Sequence, residues 1–228
     1  MASIKDMPKS APEALYELGK SDIKNRAALY QALMDDPRIN KKAIEILFHL
    51  GYFNKFAQPN RLIAEYEIYQ KYISAKVLTK SSFDDIMIDV IRPCCGKETE
   101  KQFREIDNRA LITALIKQAN IKPTTIVDRI KWQLEYLGYC TVNDPKSDPN
   151  DWLVLDVKTT GYGTVYVTAY NLCYGAERTY RANKKFWTNH QLSKGDVVRV
   201  VLQEKNKMKK DENGEWVRTG DVYTEILS

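Results

Sequence analysis

Asp151-Trp152-Leu153-Val154-Leu155-Asp156-Val157-Lys158-Thr159, followed after a short gap by Val165-Tyr166-Val167-Thr168-Ala169-Tyr170-Asn171, is the stretch on which the fold turns. Leu153, Leu155 and Val157 recur two apart, as do Val165, Val167 and Ala169, and a period of two is that of a strand with one buried face. The opposite face of the second segment carries Tyr162, Thr164, Tyr166, Thr168 and Tyr170. Rings spaced two apart on an open strand face are what stacking on unpaired bases requires, because every base offers a π-face. Tyr and Thr also suit an ordinary half-solvated sheet face, so packing is the competing reading.

Downstream, a third strand carries Arg178, Tyr180 and Arg181. A short break follows at Lys184, Lys185, Phe186 and Trp187, and then Lys194-Gly195-Asp196 opens a run from Val197 to Leu202. Asn213-Gly214 marks a final hairpin, since this pair tolerates the positive φ of a tight turn. Three strands, a short helix or turn and two more strands form the layout of a five-stranded OB-type β-barrel over 151–228. On that reading the nucleic-acid-binding residues are Tyr166, Tyr170, Arg178, Tyr180, Arg181, Lys184, Lys185, Trp187, Arg199, Lys205 and Lys207.

The chain has 228 residues, 43% of them hydrophobic, enough to bury a core in each of two modest domains. Its formal charge of +5 is spread thinly. Residues 151–228 hold twelve Lys or Arg against ten Asp or Glu, so any polyanion must be met by local clusters such as Arg178 to Lys185 or Lys205 to Lys210. Cys94, Cys95, Cys140 and Cys173 match neither a disulfide framework nor the paired spacing of a zinc site and read as reduced thiols of a cytoplasmic protein. With no apolar run near 18 residues and no leader pattern, no membrane partner is expected.

Residues 1–142 read as an all-α domain. Asn40 caps a helix bearing Ile44, Leu47 and Phe48, and Gly51 follows at the preferred C-terminal position. Asn60 opens a second helix with Leu62, Tyr66, Tyr69 and Ile73 on one stripe, Ser81 or Ser82 precedes Phe83 to Val90, and Pro123 starts a helix carrying Val127, Ile130, Leu134 and Leu137. Residues 143–150, with two prolines among turn formers, mark the domain boundary. The fold class is therefore α+β with two domains, a helical one followed by the barrel.

Ile4 to Leu18, which includes Met7-Pro8-Lys9-Ser10, resembles half of a helix-hairpin-helix. Asn40-Lys41-Lys42-Ala43-Ile44 through Leu50-Gly51-Tyr52-Phe53 resembles a second signature following it. Taken with connector helices over 60–139 and a terminal OB domain, this order is similar to the downstream region of the catalytic alpha subunit of bacterial replicative DNA polymerase III. The resemblance implies a role in DNA replication, as an accessory, a part of a split polymerase or a relic of a mobile element or phage. Met7-Pro8-Lys9 lacks the glycines by which such hairpins bring backbone N–H groups to a phosphate, and no clamp-binding segment is present.

No catalytic site is expected. Asp84, Asp85 and Asp89 are the densest acidic group but sit where a helix start favours acids. His49 lies in an apolar helix, and His190 has no nucleophile or metal-ligand companion at a recognisable spacing. No cofactor or metal is expected, and the polymerase palm and fingers are absent from the chain. The expected function is a non-catalytic module binding single-stranded DNA, or RNA. The alternative is a protein-interaction or inhibitor module that mimics a polymerase part and docks on a replication protein or another large enzyme, with Tyr52, Phe53 and Phe56 at a helix corner as the docking residues.

Overall fold

The structure is a computed structural model that describes residues 4–182, 184–199, 202–212 and 214–226. It divides into two compact units, Met1–Tyr139 and Cys140–Ser228. Eight α-helices and nine strands are interleaved along the described residues, so the protein is mixed α/β. This corrects the expected order of an all-helical domain followed by a barrel.

The first unit contains α1 (Ala11–Lys20), α2 (Arg26–Asp35), α3 (Lys41–His49), α4 (Pro59–Tyr72), β1 (Val77–Thr79), α5 (Asp85–Ile91), β2 (Cys95–Glu98), β3 (Gln102–Ile106), α6 (Asn108–Gln118) and α7 (Ile126–Leu137). Local side chains start most of the helices. Asn25 and Asn40 accept from the amides of Ala28 and Ala43, Asp84 from that of Met87, and Thr125 with Asp128 closes a reciprocal capping box. Gly51 ends α3 at φ +76°, where its amide donates to the Phe48 carbonyl and that of Tyr52 to Leu47, a Schellman ending that a Cβ-bearing residue would strain.

The core of this unit is aromatic. Tyr30, Phe48 and Tyr66 meet edge-on at centroid separations of 5.7 to 6.5 Å, and Phe53 adds a fourth ring 5.8 Å from Phe48. Each such pair contributes about 0.5–1.5 kcal/mol beyond its area. One carboxylate lies inside. Glu65, 1% exposed, accepts from Arg26 Nε at 2.6 Å, Arg61 Nε at 2.7 Å and the Tyr30 hydroxyl at 3.0 Å. Burial, with the Glu65 charge adding to it, raises the Tyr30 hydroxyl's pKa well above its ordinary value.

The feature that the sequence reading missed in this unit is an antiparallel sheet, ordered β1-β3-β2, with Leu78 opposite Phe103 and both buried. Strands of three to five residues show at most two alternations, too few for a period of two to stand out.

The second unit contains β4 (Asp151–Thr159), β5 (Val165–Asn171), β6 (Glu177–Ala182), α8 (Lys184–Asn189), β7 (Val197–Arg199), β8 (Leu202–Lys210) and β9 (Trp216–Ile226) in a six-stranded sheet ordered β7-β4-β5-β6-β9-β8. Its pairs are antiparallel except β6 with β9. Among the described residues β7 and β8, consecutive in the chain, are the two ends of this order and do not pair with each other, so the expected closed barrel is not observed. Val200 and Val201, part of the run read from Val197 to Leu202, and Asn213 of the hairpin signal lie outside the described residues. Gly214 does take the expected positive φ, +79°.

Residues 143–150 are pinned to the second unit. The Asp144 amide donates to Leu172 O at 2.8 Å, the Asn143 side chain to Cys173 O at 2.9 Å, and the Asn171 side chain to Pro149 O at 2.7 Å. The sheet's core packs Trp152, Val154, Val165, Val167, Ala169, Tyr180 and Phe186.

Candidate nucleic-acid interface

A β-bulge decides which residues share the open sheet face. The β4–β5 register runs Val154 with Ala169, then Asp156 with Thr168, leaving Leu155 without a partner. The extra residue reverses the side on which the rest of β4 points. Trp152, Val154 and Val157 therefore face the core, whereas Leu153, Asp156 and Lys158 share the other face with Tyr170, Thr168 and Tyr166. The expected stripe of Leu153, Leu155 and Val157 does not exist.

On that other face β6 contributes Arg181 opposite Tyr166, Thr179 opposite Thr168 and Glu177 opposite Tyr170. One end of the face is open. Tyr166 is 41% exposed, with Lys158 opposite it on β4 and Arg181 opposite it on β6, so a ring lies between two cations in one row. Lys158 pairs loosely with Asp156 at 3.2 Å, and the next row is neutral, Thr168 and Thr179 sharing a hydrogen bond at 2.9 Å. Tyr162 is 99% exposed in the turn between β4 and β5, where Gly163 takes φ +76° and its amide donates to Thr160 O.

The other end is covered. Tyr170 is 2% exposed, and its hydroxyl donates to Val142 O at 2.8 Å beneath the segment that precedes β4. Burial, and secondarily the Cys140 thiol, pushes its pKa well up. Tyr170 thus cannot stack on a base in this arrangement. Nor can Tyr180, which pairs with Val167 on the core side, is 2% exposed and meets Trp152 edge-on at 5.1 Å. Among the described residues its buried hydroxyl has no geometrically sound hydrogen-bond partner.

The remaining sequence-named cations divide by their partners. Arg178 is exposed but sits on the core-side register, opposite Ala169. Lys184 and Lys185 are exposed on α8, while Trp187 is half-buried against the core. Arg199 donates to both carboxylate oxygens of Asp151, at 2.8 and 3.2 Å, and lies 3.6 Å from Asp148. That pairing holds the Asp151 carboxyl below its usual range. Lys205 and Lys207 lie on β8, Lys207 exposed and Lys205 half-buried.

Composition alone did not single out Lys158 or Trp216. Trp216 is 64% exposed opposite Lys210, whose ammonium lies 5.7 Å from the ring centroid. Counted back from a two-residue Asn213-Gly214 turn, Lys210 would fall opposite Val217; the Asp211–Glu215 pair closes a loop one residue longer and shifts the register to Trp216.

No family model, curated protein or solved structure matches this chain. The polymerase resemblance drawn from Ile4 to Leu18 and Asn40 to Phe53 therefore receives no support from any relative.

In the first unit the helix-corner aromatics have separate fates. Phe53 is buried, Phe56 packs partly against the core with Lys55 4.9 Å from its ring, and Tyr52 alone is open, at 56%. His49 stacks on Trp132 at 4.2 Å, and the Tyr136 hydroxyl lies 3.3 Å from its Nδ1. Asp84 serves as a helix cap and Asp89 pairs with Arg92 at 2.6 Å. Cys94 and Cys95 are free thiols whose pKa values are raised by burial. Among the described residues no three His, Cys, Asp or Glu side chains gather where one metal ion could bridge them, and no helix is long and apolar enough to cross a membrane.

Proposed function

We propose that this chain is a non-catalytic module that binds single-stranded nucleic acid on the open face of its six-stranded sheet. The observation that carries the reading is the row Lys158–Tyr166–Arg181, an accessible ring between two cations. A single strand presents alternating bases and phosphates, and a groove-free face with an aromatic flanked by cations meets both. Thr168 and Thr179 extend the row with hydroxyls able to meet phosphate or sugar. The exposed Tyr162 and the hairpin pair Lys210–Trp216 repeat the same chemistry elsewhere on this unit.

Fluorescence anisotropy with labelled oligo(dT) and oligo(rU) of about 15 nucleotides tests the reading. Tyr166→Ala is expected to weaken binding by about 1–3 kcal/mol, the range for losing one base–aromatic stack. Wild-type affinity in Tyr166→Ala, or binding insensitive to salt, would assign the face to a protein partner instead.

A further inference from the structure

The first unit holds a cleft of about 1010 Å³ lined by Arg26, Arg61, Lys117 and Lys122 together with Phe56 and Ile116, with no acidic residue among the described residues of its lining. Its size is at the upper end for small-molecule sites. Two of the four cations are fixed from below. Arg26 and Arg61 each donate one Nε–H to the buried Glu65, which orients both guanidiniums and engages one of five N–H donors on each. Their side chains remain 39% and 52% exposed. Glu65 offsets one charge, so the cleft keeps a surplus of three positive charges.

The wall opposite is also held in place. The Asn60 amide donates to Thr124 Oγ1 at 3.0 Å, the Asn60 side chain to the carbonyls of Lys122 and Pro123, and the Thr124 amide to the Gln58 side chain at 3.3 Å. These bonds fasten the segment after α6, which bears Lys122, to the start of α4, which bears Arg61. Both α2 and α4 begin at the cleft with no acidic residue in their first turns, so no side chain of those turns offsets the positive ends of their dipoles.

We infer that this cleft binds a phosphate-chain anion, with Arg26 and Arg61 as preoriented forks and Lys117 and Lys122 as mobile counter-charges. Such a chain is carried either by a nucleoside triphosphate or by a nucleic-acid backbone. The site is separate from the sheet face and does not rest on the function proposed there.

Calorimetric titration of the full chain with inorganic triphosphate at about 50 mM salt tests it. The expected result is saturable one-to-one binding that Lys117→Gln with Lys122→Gln weakens by about tenfold or more, because two charge-assisted contacts are lost. Both lysines are exposed, so the thermal midpoint should not move. Lys97→Gln with Lys101→Gln, which removes equal charge from the exposed β2–β3 hairpin, should bind triphosphate as wild type. No saturable binding, an unaffected Lys117/Lys122 variant, or an equal loss in the hairpin variant would each overturn the site. Tighter binding of ATP than of triphosphate identifies a nucleotide as the source. Oligonucleotide binding weakened by the Lys117/Lys122 change and displaced by triphosphate identifies the backbone, and either result supports the site.

Discussion

The Tyr170 hydroxyl donates to the Val142 carbonyl at 2.8 Å, tying the end of the second sheet strand to the segment that enters the unit. The ring that the alternation offered as a base-stacking platform is a clasp. Tyr170→Phe should therefore lower stability by about 0.5–1.5 kcal/mol, the net value of one hydrogen bond, and leave oligonucleotide affinity unchanged. Urea unfolding beside anisotropy separates the two effects. A selective loss of affinity would return the ring to the binding face.

Lys158 and Arg199 carry the same charge in different settings. Lys158 lies in the row with Tyr166, whereas Arg199 is engaged by Asp151 and Asp148. Lys158→Gln should reduce the slope of log affinity against log salt by about 0.7, the loss of one phosphate contact on a single strand. Arg199→Gln should leave that slope where it was. Equal slopes in the two variants would remove Lys158 from the interface.

Glu65 couples Arg26 to Arg61. Removing both guanidiniums leaves a buried carboxylate with only the Tyr30 hydroxyl, which should destabilise the chain by about 3–5 kcal/mol. Either Arg→Ala change alone leaves one charged partner and should cost well under half of that. A double-mutant cycle by urea melting checks this, and additive losses would show that the carboxylate reaches solvent.

His49 gives the fold a pH dependence of definite sign. Burial against Trp132 lowers its pKa below the ordinary 6.5, opposed by the charges of Glu45, Glu135 and Asp128. The unfolded chain then binds the proton more readily than the folded one. Its contribution is present above pH 6.5 and is lost as pH falls from there through the lowered value. The carboxylates held low by cation pairing, Asp36, Glu98 and Asp151, start from ordinary values of 3.8 to 4.5 and act only in more acid solution. Thermal midpoints measured from pH 7.5 downwards should thus fall in wild type before the carboxylates titrate, and less steeply in His49→Gln. Parallel curves would rule the imidazole out.

Phe53 and Tyr52 adjoin in sequence and differ in consequence. Phe53→Ala opens a cavity beside Phe48 and should cost about 3–5 kcal/mol. Tyr52, half-exposed and edge-on to Phe53 at 5.1 Å, should cost about 1 kcal/mol or less when truncated. Comparable losses by chemical denaturation would place Tyr52 in the core.

What could be read without coordinates was local. Asn40 and Gly51 bracket α3, because caps are hydrogen bonds between residues at most a few positions apart. The strand β5 was legible for the same kind of reason, since its Val165, Val167 and Ala169 repeat the period of two, whereas the bulge at Leu155 breaks that of β4. The short strands around Leu78 and Phe103 were not, and neither was the start of α7, which follows Thr125 rather than Pro123.

The amino-acid sequence by itself determined where α3 begins and ends, that strands run from Asp151 onward, and that the positive charge is spread thinly along the chain. Tertiary structure alone decided which side chains meet. The bulge at Leu155 reverses the face of β4 and brings Lys158 beside Tyr166, the entering segment closes over Tyr170, and residues 58–61 and 122–124 join to form a cationic cleft. Each of these depends on pairing between residues distant in the chain, where a one-residue change in register reverses exposure and no local propensity records it.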